Sequence, residues 1–218
     1  MKSLIIIGKG YSITKCTKEF VDSHDEVAIV NSPVYGEYEK FISNHADYLF
    51  TNRTGMIYSN EEIKKLGLKA MIFTGRPKQR FKKVSKLVKV IYPNPNLFQM
   101  ILPIVGGLGP NSGVQALMYF INHGTYDTIS LVGFDFHQVG LPPYYFDPKY
   151  AHSSLKYMWK GNWKNNIIGS GNLAGHHPEK ECINLVTDTI KQNSSIKFNI
   201  ITFNSKFNDI KINNLKLM

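Results

Sequence analysis

Ser3-Leu4-Ile5-Ile6-Ile7-Gly8-Lys9-Gly10-Tyr11-Ser12 decides the fold. From Leu4 to Ile7 the run is apolar without alternation, as in a strand covered on both faces, so this strand belongs at the centre of a sheet. Gly8-Lys9-Gly10 stops the run far short of the apolar stretch of a signal peptide. The turn is expected to lead into a helix ending near Asp22, with Ser12 as its N-cap. Its glycines let backbone approach a ligand closely, and phosphates favour such helix starts. The plainer alternative is a tight strand-to-helix turn without a ligand. The third glycine of the dinucleotide fingerprint is missing and Asn31, not an acid, follows the second strand, so NAD binding is not expected.

Outward from this stretch, short apolar runs alternate with helical patterns. Strands are expected at Glu26–Val30, Tyr48–Phe50, Ala70–Phe73, Val88–Tyr92, Thr128–Val132 and Phe198–Phe203. Helices are expected at Gly36–Asn44, after the capping box Ser59–Glu62, over the basic stretch Pro77–Lys86, at Ser112–His123 with Ser112 and Gln115 as capping box, and at Pro178–Gln192. The alternation predicts an α/β, Rossmann-like fold with a mainly parallel sheet and helices on both faces. From Gly133 to Gly175 the periodicity disappears while aromatic residues accumulate, which is too long for an ordinary connection and too aromatic for disorder. We read 1–218 as one domain, with 137–175 as a lid or acceptor-binding segment. The Asn- and Lys-rich tail is expected to fray.

The net charge of +10 favours anionic partners, nucleotide phosphates among them, and much of it lies between Arg76 and Lys89. Two cysteines, Cys16 and Cys182, do not form a disulfide framework, which fits a reducing, cytoplasmic setting. Nothing approaches a membrane-spanning run.

Several residues could carry chemistry. Asn31 and Asn52 follow predicted strands, at the carboxyl-end crevice of a parallel sheet, where an amide can bond a ribose, a base edge or a sugar hydroxyl; asparagine also simply favours turns. His176, followed by Glu181, is placed to titrate near neutrality as a general base, or the two form a helix cap and a surface histidine. His176-His177 lacks the partners of a zinc site, and no Asp-x-Asp pair stands ready for a metal–diphosphate complex. Tyr144-Tyr145-Phe146-Asp147 is either a packed hinge or a source of phenolic donors to a leaving phosphate.

In order, these segments resemble the sialyltransferases, both the animal family with its sialylmotifs and the bacterial family that builds lipooligosaccharide termini. Ile5 to Ser12, through Asp22–Val27 to Asn31-Ser32-Pro33, resembles the long sialylmotif. Gly109-Pro110-Asn111-Ser112-Gly113-Val114 through Val132-Gly133-Phe134-Asp135-Phe136 resembles the small one. Tyr144–Asp147 and His176 to Glu181 resemble the third and the very short motifs. The compact spacing and the missing animal disulfide cysteines bring the chain nearer the bacterial enzymes.

The resemblance implies a GT-A-like Rossmann variant and a metal-independent, inverting transfer of sialic acid or a related ulosonic acid from a CMP-sugar to a glycan hydroxyl, with no cofactor. It implies that Gly8, Lys9, Gly10 and Ser12 line the phosphate turn and that Asn31 and Asn52 hold the donor. Asn111, Ser112 and Gly113 would meet CMP at a helix start, and Asp135 and Phe136 would flank the nucleotide. His176 would be the base, with Tyr144 and His137 serving the leaving phosphate. Three residues depart from the bacterial pattern: Lys9 stands for asparagine, Gly109 stands near an expected arginine, and His137 replaces a phosphate-binding tyrosine. Alternatives are another nucleotide sugar or a catalytically silent CMP- or sialoside-binding relative. Nucleic acid is not an expected partner. The basic charge is compatible with peripheral association with an anionic inner-membrane leaflet, and a homo-oligomer is left open.

Overall fold

The computed structural model describes residues 1–31, 35–51, 60–74, 84–94, 96–99, 111–136, 140–150 and 179–218. Eight strands form one sheet: β1 (Ser3–Ile7), β2 (Glu26–Val30), β3 (Tyr48–Thr51), β4 (Ala70–Phe73), β5 (Lys89–Ile91), β6 (Thr128–Val132), β7 (Lys197–Ile201) and β8 (Leu215–Leu217). Their order is β5-β4-β3-β2-β1-β6-β7-β8, and every pairing is parallel. The central strand is β1, between β2 and β6. Because the chain builds outward to β5 and then returns to the other side of β1, the order reverses between β1 and β6, and the crevice at their carboxyl ends is the topological switch point.

Two-sided burial explains the unbroken apolar strands. Ile5, Ile7, Val27, Ile29, Leu49, Met71 and Val132 face one layer, which includes Val21 of helix α1 (Lys18–Asp22), Ile42 of α2 (Glu39–Ile42), Ile63 of α3 (Asn60–Leu66) and Tyr144–Phe146. Leu4, Ile6, Ala28, Val30, Ile129, Leu131 and Ile200 face the other layer. There Val114, Leu117 and Phe120 come from α5 (Ser112–His123), after the short α4 (Asn96–Gln99), and Cys182, Val186 and Ile190 come from α6 (Glu179–Gln192). Each fully buried Ile or Leu contributes about 1.5–3 kcal/mol of apolar burial, so the two layers are the main source of stability.

Several local expectations need correction. After Gly10 the chain forms a 3-10 turn, Tyr11–Lys15, without a side-chain cap; α1 starts later, capped by Thr17, whose hydroxyl accepts from the Phe20 N–H. Asn111, not Ser112, caps α5, accepting from the Val114 N–H at 3.0 Å. The helix expected at Gly36–Asn44 is a 3-10 turn, Gly36–Tyr38, and one α-turn that ends at Ser43 with φ 62°. The last long strand ends at Ile201, not Phe203.

The tail does not fray. The side-chain amide of Asn214 donates to the carbonyls of Ile190, Asn193 and Ile196, and β8 pairs with β7. Ser59 of the expected capping box, most of the basic stretch and residues 137–139 and 151–175 lie outside the described residues. No helix among the described residues is long and apolar enough to cross a membrane.

Candidate functional site

At the switch point the loops after β1, β6 and β7 are bound to one another. The Gly8 N–H donates to the Val132 carbonyl at 2.8 Å and the Gly10 N–H to the Gly133 carbonyl at 2.9 Å. A Cβ on Gly8 would lie 2.5 Å from the Gly133 carbonyl oxygen, and one on Gly10 would lie 2.8 Å from it and nearer still to the Asp135 carboxylate. The expectation from the sequence is a ligand or a tight turn at these glycines; the structure shows that the approach of one strand-end loop to another requires them.

Asp135, 3% exposed, holds this knot. One carboxylate oxygen accepts from the Ser12 N–H at 2.7 Å; the other accepts from the Thr202 hydroxyl at 2.8 Å and the Phe203 N–H at 3.1 Å. Ser12 answers by accepting from the Gly133 N–H at 3.2 Å. Three strand-end loops, at Ser12, Asp135 and Thr202-Phe203, are thus fixed by a carboxylate whose hydrogen-bonding capacity is used within the protein, where an unmade bond would cost about 1–3 kcal/mol.

Backbone strain gathers at the same strand ends. Gly133 has φ 74°, Asn31 φ 58° and Phe136 φ 50°. For Phe136 the left-handed region costs roughly 1–2 kcal/mol, and packing offsets it: the ring is T-shaped on Phe134 at 6.1 Å and stacked on Phe207 at 6.2 Å. Its ring is consequently in the core, and what it presents to the crevice is backbone. Asn31 sits at the end of β2, its N–H donating to the Phe50 carbonyl at 2.8 Å and its Oδ1 accepting from the Thr51 hydroxyl at 3.2 Å. Its amide Nδ2 makes no bond among the described residues.

The start of α5 abuts this crevice, because a Cβ on Gly113 would meet the Phe134 ring at 3.0 Å. The Asn111 side chain is engaged as the cap, Ser112 is buried, and the first turn carries no acidic residue. A helix start of this kind offers backbone donors to an anion. On the other side, Tyr145 donates its N–H to the Lys9 carbonyl at 3.2 Å, bringing the Tyr144–Phe146 segment onto the β1 loop. Tyr144 is 8% exposed and lies parallel to Phe146 with centroids 5.1 Å apart.

The rim is basic and aromatic. Tyr11 stacks on Phe203 at 5.8 Å, and Lys15 donates to the Thr202 carbonyl at 2.7 Å while its ammonium lies 4.3 Å from the Phe203 centroid.

Of the residues singled out in the sequence, the fold brings together Gly8, Lys9, Gly10, Ser12, Asn111, Ser112, Gly113, Asp135, Phe136 and Tyr144, with Asn31 at the neighbouring strand end. His137, His176 and Asn52 lie outside the described residues. The cysteines are buried, and desolvation pushes the Cys16 thiol up to about 12 and that of Cys182 to about 11, so both are inert hydrophobes. Among the described residues no three His, Cys, Asp or Glu side chains are arranged to hold a metal ion. Sequence reasoning missed Thr202, Asn204 and Glu179. The signal present was a polar Thr-x-Asn at the end of the last long strand, in the position where loops of a parallel sheet reach the crevice.

No protein-family model matches the chain, and no curated protein is significantly similar to it in sequence. Solved structures do resemble it. The sialyltransferase CstII from Campylobacter jejuni, in complex with the substrate analogue CMP-3FNeuAc, is 17% identical, with 96% of this chain and 85% of that chain covered and a TM-score of 0.61. The same enzyme with a trisaccharide acceptor and CMP gives 14% identity, 97% and 86% coverage and a TM-score of 0.55. A mammalian sialyltransferase in complex with Gal-beta-1-3GalNAc-ortho-nitrophenol gives 14% identity, 93% and 69% coverage and a TM-score of 0.53. The chain therefore has the α/β fold of bacterial and mammalian sialyltransferases, with its loop knot at the switch point of the sheet.

Proposed function

We propose that this chain is a sialyltransferase-like glycosyltransferase that takes a CMP-sugar at the switch-point crevice and passes sialic acid, or a related ulosonic acid, to a glycan hydroxyl. The carrying observation is that the two segments resembling the long and small sialylmotifs, Gly8–Ser12 and Gly133–Phe136, are hydrogen-bonded to each other at that crevice in a fold shared with sialyltransferases. In this reading the acceptor oxygen attacks the anomeric carbon as the bond to the CMP phosphate breaks, with inversion. His176 takes the hydroxyl proton, and the phosphate leaves with the bonding electron pair. Tyr144, His137 and Lys9 donate to that phosphate in place of a metal ion, and the α5 start supplies backbone N–H groups. The amide of Asn31, which makes no bond among the described residues, supports a ribose or base contact, with Asn52 as its partner.

The reading extends to a cytoplasmic enzyme of the bacterial, lipooligosaccharide-building type, held loosely at an anionic leaflet by its basic charge. A catalytically silent CMP- or sialoside-binding relative is the second reading, favoured by the departures at Lys9, Gly109 and His137.

The test is a calorimetric titration with CMP, UMP, GMP and AMP, followed by a metal-free assay with CMP-, UDP- and GDP-sugars. CMP is expected to bind and a CMP-sugar to be turned over. His176→Ala should abolish transfer and leave CMP affinity within about twofold. CMP binding without turnover for any acceptor selects the silent relative, and preference for another nucleotide removes the CMP assignment.

A further inference from the structure

Thr202, Phe203 and Asn204 reverse the usual rule of burial. The two polar residues are 9% and 1% exposed, while the phenylalanine between them is 37% exposed. A large apolar side chain left outside between two buried polar ones is the informative kind of exposure, because a folding chain gains by the opposite arrangement. The Asp135 carboxylate holds this reversal in place: it accepts from the Thr202 hydroxyl and from the Phe203 N–H, so the backbone is fixed while the ring stays at the surface.

Two side chains of the 3-10 turn after β1 complete the surface. Tyr11, half-buried, stacks on Phe203 with centroids 5.8 Å apart and planes 29° apart. The exposed Lys15 places its ammonium 4.3 Å from the Phe203 centroid and donates to the Thr202 carbonyl at 2.7 Å. Lys2, Lys18, Lys69 and Lys206 each pair with a carboxylate. Lys15 pairs with none among the described residues. An ammonium has three protons to donate, so a cation with donor capacity sits beside an exposed aromatic surface.

Both parts are anchored in the loop knot. Tyr11 lies between Gly10 and Ser12, whose N–H groups are bound to Gly133 and Asp135, and the Phe203 N–H is bound to Asp135 itself. The surface is therefore preorganised at the crevice, which lowers the ordering cost of binding. In the strand order β2-β1-β6-β7 it follows β7, whereas Asn31 follows β2 on the far side of β1. A ligand held at Asn31 and one held at Phe203 reach the switch point from opposite sides.

We propose that Tyr11, Phe203 and Lys15 form a glycan-binding platform that selects, as acceptor, an oligosaccharide carrying an anionic sugar; this rests on the functional reading above and specifies its second substrate. The apolar C–H face of a sugar ring lies against the exposed aromatic surface, and the Lys15 ammonium donates to a carboxylate or phosphate on the same glycan. The three residues set acceptor affinity and leave the nucleotide untouched.

The experiment uses the full chain, with and without CMP, on an array of neutral, carboxylated and phosphorylated oligosaccharides. The retained glycans should be anionic, and the carboxylated and phosphorylated arms show which group the ammonium takes. Phe203→Ala should weaken every retained glycan at least about fivefold, while Phe203→Trp stays within about twofold of wild type. Lys15→Gln should weaken the anionic glycans at least about threefold, and added salt should shrink that difference. All three variants should keep CMP Kd and donor KM within about twofold. Phe203 is exposed and bonds Asp135 through its backbone, so thermal melts of its variants should match wild type.

Retention of neutral glycans only, or of none, overturns the proposal. Wild-type retention in Phe203→Ala does so as well, and so does a rise in donor KM in that variant, which would give the ring to the nucleotide sugar. A wild-type protein that binds no CMP overturns the functional reading alone, and Phe203-dependent retention of anionic glycans would then still establish the platform.

Discussion

The two ends of the sheet handle buried carboxylates differently. At the amino ends of the strands, Glu26 is 6% and Asp47 5% exposed, and both are matched with cations. Glu26 accepts from Tyr126 at 2.6 Å and Tyr48 at 3.2 Å and pairs with Lys2 and Lys69, each at 3.2 Å; Asp47 pairs with Lys69 at 2.9 Å and accepts from the Val27 N–H at 2.8 Å. At the carboxyl ends, the carboxylate of Asp135 is held by two backbone N–H groups and one hydroxyl. One end neutralises charge and ties strand starts together. The other uses neutral donors to force loops into close contact, with left-handed backbone at Gly133 and Phe136. At the amino ends the buried carboxylates brace the starts of strands, whereas at the carboxyl ends Asp135 draws three loops together.

The largest expected effect breaks the crevice end. Asp135→Ala leaves the Ser12 N–H, the Thr202 hydroxyl and the Phe203 N–H without their acceptor, and should lower unfolding free energy by about 3–5 kcal/mol and abolish CMP binding. Denaturant melts and calorimetry check this. A variant that binds CMP normally would show that the knot does not shape the crevice. Gly8→Ala comes next: its methyl group meets the Gly133 carbonyl, at a cost of about 1–3 kcal/mol, again with loss of CMP affinity.

The matching change at the other end sharpens the contrast. Tyr126→Phe removes a donor to Glu26 and should cost about 1–1.5 kcal/mol with CMP affinity unchanged, read by the same two measurements.

The smallest effect is in pH. Burial pushes the Glu26 carboxyl up, but the hydrogen bonds from Tyr126, Lys2 and Lys69 outweigh it and hold the group below its ordinary value of 4.5. Its stabilisation is therefore complete above about pH 4.5 and lost as pH falls through the lower folded-state value. Burial also lowers His24, whose Nε2 meets the Ser130 hydroxyl at 2.8 Å. That contribution is complete above about pH 6.5 and declines as pH falls below it. Thermal melts between pH 7.5 and 4 should show a first decline that His24→Gln flattens and a later one that Tyr126→Phe reduces.

The fold was legible where burial is two-sided. Leu4–Ile7 is read without error because a strand covered on both faces is apolar throughout, and Glu26–Val30 and Thr128–Val132 because short runs rich in β-branched residues stand out locally. The edge strand Leu215-Lys216-Leu217 was not, since three residues after a pair of asparagines are too short to carry a pattern and its pairing depends on Asn214. The candidate residues on the β1 and β6 loops were legible as glycines and polar residues after strands, but their tasks were not. Ser12 reads as a helix cap, yet its hydroxyl accepts from Gly133 and its N–H donates to Asp135; Thr202 and Phe203 read as strand, yet they turn toward the same carboxylate.

By itself the sequence determined the alternation of buried strands and helices, the parallel class of the sheet and the loops on which polar residues stand, because hydrophobic periodicity is a local property of the chain. Tertiary structure alone decided that Asp135 binds Ser12, 123 residues away, and Thr202, 67 residues away. Those contacts follow from a strand order that reverses beside β1, and no local pattern encodes which distant loop a carboxylate will face.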